Sequence, residues 1–209
     1  MTRSIAAAIE WGSIGPLVVA SLALMGSPGP ATISVAAVGS AYGVRRSLAY
    51  LLGIIVGTTL VLVAVATGIT AALLAVPAIG SVLIAISAAY ILWLAYHIAT
   101  APPLLEQSET SHAPSIAGAT LLAVANPKAW VAIAAVFATA RLADTATTDA
   151  AAKVAVLSVM IVLIMTAWLI AGASLAPMLR NPRRARIVNT ALAAALVGTT
   201  ALAILPAAR

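Results

Sequence analysis

Charged residues divide the chain into long uncharged stretches, from Trp11 to Val44, Ser47 to Leu105, Thr110 to Pro127, Val154 to Leu179 and Ile187 to Ala208. A membrane-spanning helix needs about 20 apolar residues, so these stretches hold several. The stretch 47–105 is too long for one helix, since at about 1.5 Å per residue it would be nearly three times the hydrocarbon thickness. The pattern predicts six spans, roughly 13–38, 48–74, 79–100, 115–140, 153–177 and 187–206, with a turn at Pro77 and Gly80 between the second and third. Runs such as Leu60-Val61-Leu62-Val63-Ala64-Val65-Ala66 lack the in-out alternation of a barrel strand, so all six spans read as helices.

Composition agrees with this. Of 209 residues, 63% are hydrophobic and 8% charged, against about one-quarter charged in a soluble domain. Mean hydropathy is +1.13. The expected fold is an all-α membrane protein, a single domain over 1–209 with halves of roughly 1–105 and 106–209. With three spans in each half, the second half enters the membrane with opposite polarity. That is the condition for an inverted repeat.

The net charge of +6 would suggest nucleic acid in a soluble chain. Here most arginines stand in short loops beside apolar runs, where they set orientation and touch lipid headgroups. Membrane lipids, not nucleic acid, are the expected partners. The loops after spans one, three and five hold Arg45, Arg46, Arg180, Arg183, Arg184 and Arg186, and the opposite side holds Arg3, Arg141, Lys153 and Arg209. The positive-inside rule puts the first set in the cytoplasm and both termini outside a cell (inner) membrane. Arg3 is followed by Glu10 and no small-residue cleavage site, so the first span reads as its own insertion signal.

Two apolar stretches contain helix-breaking clusters, Ser27-Pro28-Gly29-Pro30 in span one and Asn126-Pro127-Lys128 in span four. Within lipid, a break is tolerated only where protein or a polar cavity satisfies the freed backbone groups. Pro28 and Pro30 would leave the carbonyls of Leu24 and Gly26 without helical partners, and Gly29 permits close approach of another group. A lysine at the bilayer centre costs about 2.5–3.5 kcal/mol. Lys128 precedes Arg141 by a length of about 20 Å along a helix, too far to reach that edge. One alternative places Lys128 at the cytoplasmic mouth of a later-starting span. In the other, the half-helix after Pro127 points free amide hydrogens and its positive dipole end into the gap, so that Asn126 and Lys128 suit an anion. Orphan carbonyls opposite would suit an ammonium, and the pair together a zwitterion. Ser27, Pro28, Gly29, Pro30, Asn126, Pro127 and Lys128 are the candidate solute-binding residues.

Other signals are architectural. Gly53 and Gly57 form a small-xxx-small pair for close helix packing, and alanine-rich faces are compatible with a homodimer without demonstrating one. Tyr90, Trp93 and Tyr96 read as an interfacial belt beside His97. No Asp or Glu falls inside the predicted spans, which leaves Lys128, His97, water or the solute itself to carry any proton coupling. There are no cysteines, so no thiolate metal site, disulfide or thiol redox chemistry is available. No catalytic residue, metal ligand set or cofactor is expected. An intramembrane enzyme would need a nucleophile with a base in reach, but His97 and His112 lie at a span end and in a loop.

The sequence resembles the LysE/RhtB family of amino-acid exporters, the LysE-type translocators. The resemblance rests on Gly26-Ser27-Pro28-Gly29-Pro30, on Gly43-x-Arg45-Arg46 leading to Gly53-x-x-x-Gly57, on Ala89-Tyr90-Ile91-Leu92-Trp93-Leu94 and on Asn126-Pro127-Lys128. It implies a six-helix inner-membrane protein that exports amino acids or related small metabolites, driven by the proton gradient. Two departures bear on the solute. Ala31 stands where members often have asparagine, and Thr58 where they often have aspartate. Loss of that acid weakens the case for cationic solutes and leaves Thr58 as an uncharged member of the polar pathway, so the reading leans to neutral or weakly polar amino acids. A non-transporting scaffold, or an exporter of another small solute such as a cation, are the alternatives.

Overall fold

The computed structural model describes residues 10–68, 77–101, 114–175 and 181–204. Among the described residues, a short 3-10 turn, Trp11–Ser13, leads into seven helices. They are α1 (Ile14–Leu24), α2 (Pro30–Ala66), α3 (Pro77–Ala99), α4 (Ile116–Ala125), α5 (Pro127–Thr139), α6 (Ala146–Ala173) and α7 (Pro182–Ile204). Helix starts follow local chemistry. Ser115 and Thr145 accept Gly118 N–H and Thr148 N–H at the heads of α4 and α6, and the Asn181 carboxamide accepts Arg183 N–H and Arg184 N–H at the head of α7. Such caps satisfy donors that a helix cannot satisfy itself.

The protein is an all-α membrane protein. α2, α6 and Pro182–Leu202 of α7 are each long and apolar enough to cross a membrane, and α4 with α5 forms a fourth candidate bent by 61°. α2 is not one rod. Gly43 has φ +75°, a left-handed conformation that glycine adopts without steric cost. The Ser47 hydroxyl donates to Val38 O at 3.1 Å and to Gly43 O at 2.7 Å. Residues nine apart would be about 13 Å apart along a straight helix, so the chain folds back at Gly43 into arms 30–42 and 44–66.

Several predicted boundaries move. Pro77 opens α3 and Gly80 lies inside it, so neither forms the turn assigned to them. Proline is favoured at a first helical position, where its missing N–H is no loss. The end of the second predicted span, 69–74, lies outside the described residues. α6 begins seven residues before the predicted fifth span and contains Asp149 and Lys153, correcting the expectation that no acid enters a span. The two charges neutralise each other across 2.8 Å, which is why counting charges placed the helix start too late. Lys128 is correspondingly not the one lysine held within the protein, because Lys153 is 5% exposed.

α2 is the centre of the bundle, packing along α6 and α4 and touching α5 and α7, while α3 packs on α7. Glycine allows the approach. A Cβ on Gly172 of α6 would fall on the Ala36 backbone, and one on Gly39 would meet Leu169 at 2.8 Å. Gly53 and Gly57 lie in the same way against α4, where added Cβ atoms would meet Ala119 and Ala123 at 2.7 Å. The Thr120 hydroxyl completes that seam with a bond to Gly53 O at 3.1 Å.

At one end of α5, Lys153 Nζ donates to Phe137 O at 2.9 Å and sits 4.8 Å from the Phe137 ring centre. Asp149 Oδ1 accepts Leu142 N–H at 2.6 Å. α6 thereby satisfies a carbonyl in the last turn of α5 and the Leu142 amide of the loop that follows. Arg141 turns onto the carbonyls of Ala143 and Asp144.

Two outcomes test this packing. Gly172→Ala should cost about 1–3 kcal/mol because the new methyl meets backbone, whereas Gly198→Ala, with nothing within 4 Å, should stay within about 0.5 kcal/mol. Melting in detergent separates them, since about 1 kcal/mol moves the midpoint by roughly 2–4 °C at this size. Asp149→Asn leaves the Lys153 charge unpaired and should cost about 3 kcal/mol, more than the double change Asp149→Asn with Lys153→Met. Equal melting of the single and double variants would refute the clamp.

Candidate solute site between the two helix breaks

Both broken helices resume on a proline at their first helical position. Pro30 heads the arm 30–42 and Pro127 heads α5. Neither proline therefore interrupts a helical ladder from inside. The carbonyls that each break frees belong to the preceding half-helix and the connecting residues, and side chains satisfy them.

At the first break, the Ser27 hydroxyl donates to Leu24 O at 2.9 Å and the Trp168 indole to Gly26 O at 3.0 Å. These are the two carbonyls expected to lack helical partners, and the protein itself supplies theirs. Gly29 N–H donates to the Thr32 hydroxyl at 2.9 Å, which fixes the start of the next arm. At the second break, Asn126 Oδ1 accepts Lys128 N–H at 3.1 Å, and Asn126 O accepts Ala129 N–H at 3.0 Å. The Trp130 indole reaches back to Val124 O at 2.7 Å. The free amide hydrogens expected at the head of α5 are thus not free, because Pro127 has none and Asn126 takes the next two. What α5 retains there is its dipole and the Lys128 charge.

The two breaks meet through that charge. Lys128 Nζ donates to Ser27 O at 2.6 Å and Pro28 O at 2.9 Å. Its stem lies over Gly29, where an added Cβ would stand 2.5 Å from Cδ and 2.7 Å from Nζ. Gly29 has an ordinary extended φ of −173°, so its value here is the missing side chain rather than an unusual backbone angle. An ammonium held by carbonyls at these distances forms charge-assisted hydrogen bonds, roughly twice as strong as neutral ones.

Beside this contact lies a cavity of about 30 Å³, lined by Gly29, Thr32, Thr58, Asn126 and Lys128 together with apolar side chains including Met165. Thr58 is 3% exposed and its hydroxyl has no hydrogen-bond partner among the described residues. A buried hydroxyl without a partner costs free energy, and this one borders a space that holds on the order of one or two water molecules. On the other side of Lys128 a wider cleft of about 620 Å³ is bounded by Ser27, Pro28, Pro127 and Lys128 and by α7 at Thr199 and Leu202.

The structure therefore gathers Ser27, Pro28, Gly29, Asn126, Lys128 and Thr58 around one point, with Pro30 and Pro127 as the helix starts behind it. His97 does not join them. It is exposed on α3, 4.3 Å from the Trp93 ring and 5.9 Å from that of Tyr96, and it lines neither cavity. Among the described residues, no three His, Asp or Glu side chains gather as metal ligands. Sequence reasoning missed Trp130 and Trp168. Trp168 stands within an apolar run and Trp130 two residues after Lys128, and an indole N–H turned into the bundle needs an acceptor.

A family model for the LysE type translocator matches residues 22–205, a span that includes both breaks and reaches the end of α7. The comparisons with curated proteins and with solved structures return no match. Matched over most of its length, with broken helices in an apolar bundle, the chain belongs to the LysE type translocator family of membrane transport proteins.

Proposed function

We propose that this protein is a secondary transporter that exports amino acids or related small metabolites from the cytoplasm across the inner membrane. The observation that carries the reading is the pair of bonds from Lys128 Nζ to the Ser27 and Pro28 carbonyls, which join one broken helix to the other. Discontinuous helices facing each other are the general arrangement for small-solute sites at the membrane midplane. Family membership supports transport itself. Direction, solute and coupling are the proposal.

The six spans are then α1 with arm 30–42, arm 44–66 and α3 in one half, and α4 with α5, α6 and α7 in the other. Arm 30–42 and the 13-residue α5 have equal length and both begin at proline, which supports an inverted repeat. Alternating access follows as rocking of one half against the other about the Lys128 contact. The substrate-binding residues are Ser27, Pro28, Gly29, Pro30, Asn126, Pro127 and Lys128, with Thr58 in the polar pathway. Coupling to the proton gradient falls to Lys128, whose ammonium reaches from the second break to the carbonyls of the first. Asp149, the acid inside α6, is held by Lys153 away from these residues in sequence and in pairing.

Lys128→Ala is expected to abolish efflux from loaded cells or proteoliposomes while leaving protein abundance in the membrane near normal. Transport by that variant at the native rate would remove Lys128 from the site.

A further inference from the structure

The end of α1 and the segment leading to arm 30–42 carry four carbonyls of interest, and two are committed within the protein, Leu24 O to the Ser27 hydroxyl and Gly26 O to the Trp168 indole. The Lys128 ammonium donates to Ser27 O at 2.6 Å and to Pro28 O at 2.9 Å. Ser27 O also takes a longer bond from the Thr32 hydroxyl at 3.3 Å, and for Pro28 O the ammonium is the donor found among the described residues. Nothing in two carbonyl oxygens distinguishes an ammonium on a lysine stem from one on a free solute. The carbonyls belong to a short connection closed on both sides by helices, while the ammonium hangs on a flexible four-carbon stem from α5.

The surrounding space shows which group can move. The inner cavity of about 30 Å³ admits a water or two, not a metabolite. The outer cleft of about 620 Å³ is bounded by Ser27 and Pro28 as well as Lys128, and pockets of roughly 300–1,000 Å³ take small molecules. A solute entering that cleft meets the carbonyl pair with Lys128 already on it.

Resting on the transport reading above, we infer that Lys128 is a built-in surrogate for a primary ammonium. The solute's amine takes the Ser27 and Pro28 carbonyls, and Lys128, displaced, turns to the solute's anionic group or to the inner cavity where the Thr58 hydroxyl lacks a partner. One cation stays on the carbonyls throughout the exchange, so the acceptors are never left without a donor. The site thereby selects solutes bearing an unsubstituted or singly substituted ammonium. A quaternary ammonium has no N–H to give and does not compete.

The inference is tested with methylammonium chloride, and with tetramethylammonium chloride at equal concentration as control. In Lys128→Ala the carbonyl pair is open, and saturating methylammonium should raise the melting midpoint by about 2–4 °C, with little effect from tetramethylammonium. Should that variant fail to fold, the native protein decides. Its two lysines, Lys128 and Lys153, are carbamylated by excess cyanate and followed by mass spectrometry. Methylammonium should speed modification of Lys128 several-fold, with Lys153 as the unchanged internal reference. No response to methylammonium in the folded variant or in the labelling, or an equal response to tetramethylammonium, overturns the surrogate. Loss of efflux without a methylammonium response would leave the transport site standing while removing this exchange. A methylammonium response with native efflux would do the reverse.

Discussion

A helix interrupted within lipid exposes carbonyls that no solvent can reach, and each must find a donor inside the protein. In this fold, donors are brought from distant parts of the chain. Trp168 of α6 reaches Gly26, and Lys128 of α5 reaches Ser27 and Pro28. Trp130 does the same work locally for Val124. The first break is therefore stable only when α5 and α6 are docked against it, and the folding of the two halves is tied to the integrity of one irregular segment.

The docking depends in turn on how closely helices approach. Gly39 and Gly172 let arm 30–42 and α6 meet backbone to backbone, while Gly53 and Gly57 do so for arm 44–66 and α4. Between lipid-soluble helices there is little hydrophobic preference to exploit, so close van der Waals packing and interhelical hydrogen bonds do the holding. The Asp149 and Lys153 clamp then fixes the far end of α5 to α6. α5 is held at both ends, by ions at one and by Lys128 at the other. A small rotation of α5 would be felt at the carbonyl pair.

Much of this was legible in particular residues. The prolines at 28, 30 and 127 announced the breaks, Lys128 announced a polar environment, and the long uncharged runs announced a membrane bundle. Other features were hidden for physical reasons. Asp149 and Lys153 read as the end of a loop because hydropathy counts charges singly, although at this i,i+4 spacing they can cancel on one helix face. Pro77 and Gly80 read as a turn because the same residues that end helices can also begin or occupy them. Asn126 read as suited to an anion, and the sequence did not show that its side chain also caps α5 by accepting Lys128 N–H.

What the sequence determined by itself was the class of molecule and the location of its irregularities, because apolar run length and proline act locally and need no partner to be understood. Its order of motifs also pointed to the translocator family. Only the tertiary structure decided which donor serves which carbonyl. Ser27 and Lys128 are about a hundred positions apart, and no local rule says that the cation of one break is spent on the carbonyls of the other. That pairing arises because α5 and arm 30–42 are brought together by glycine-mediated packing on α6 and α4, and because an ammonium with two carbonyls in reach finds acceptors for its N–H groups.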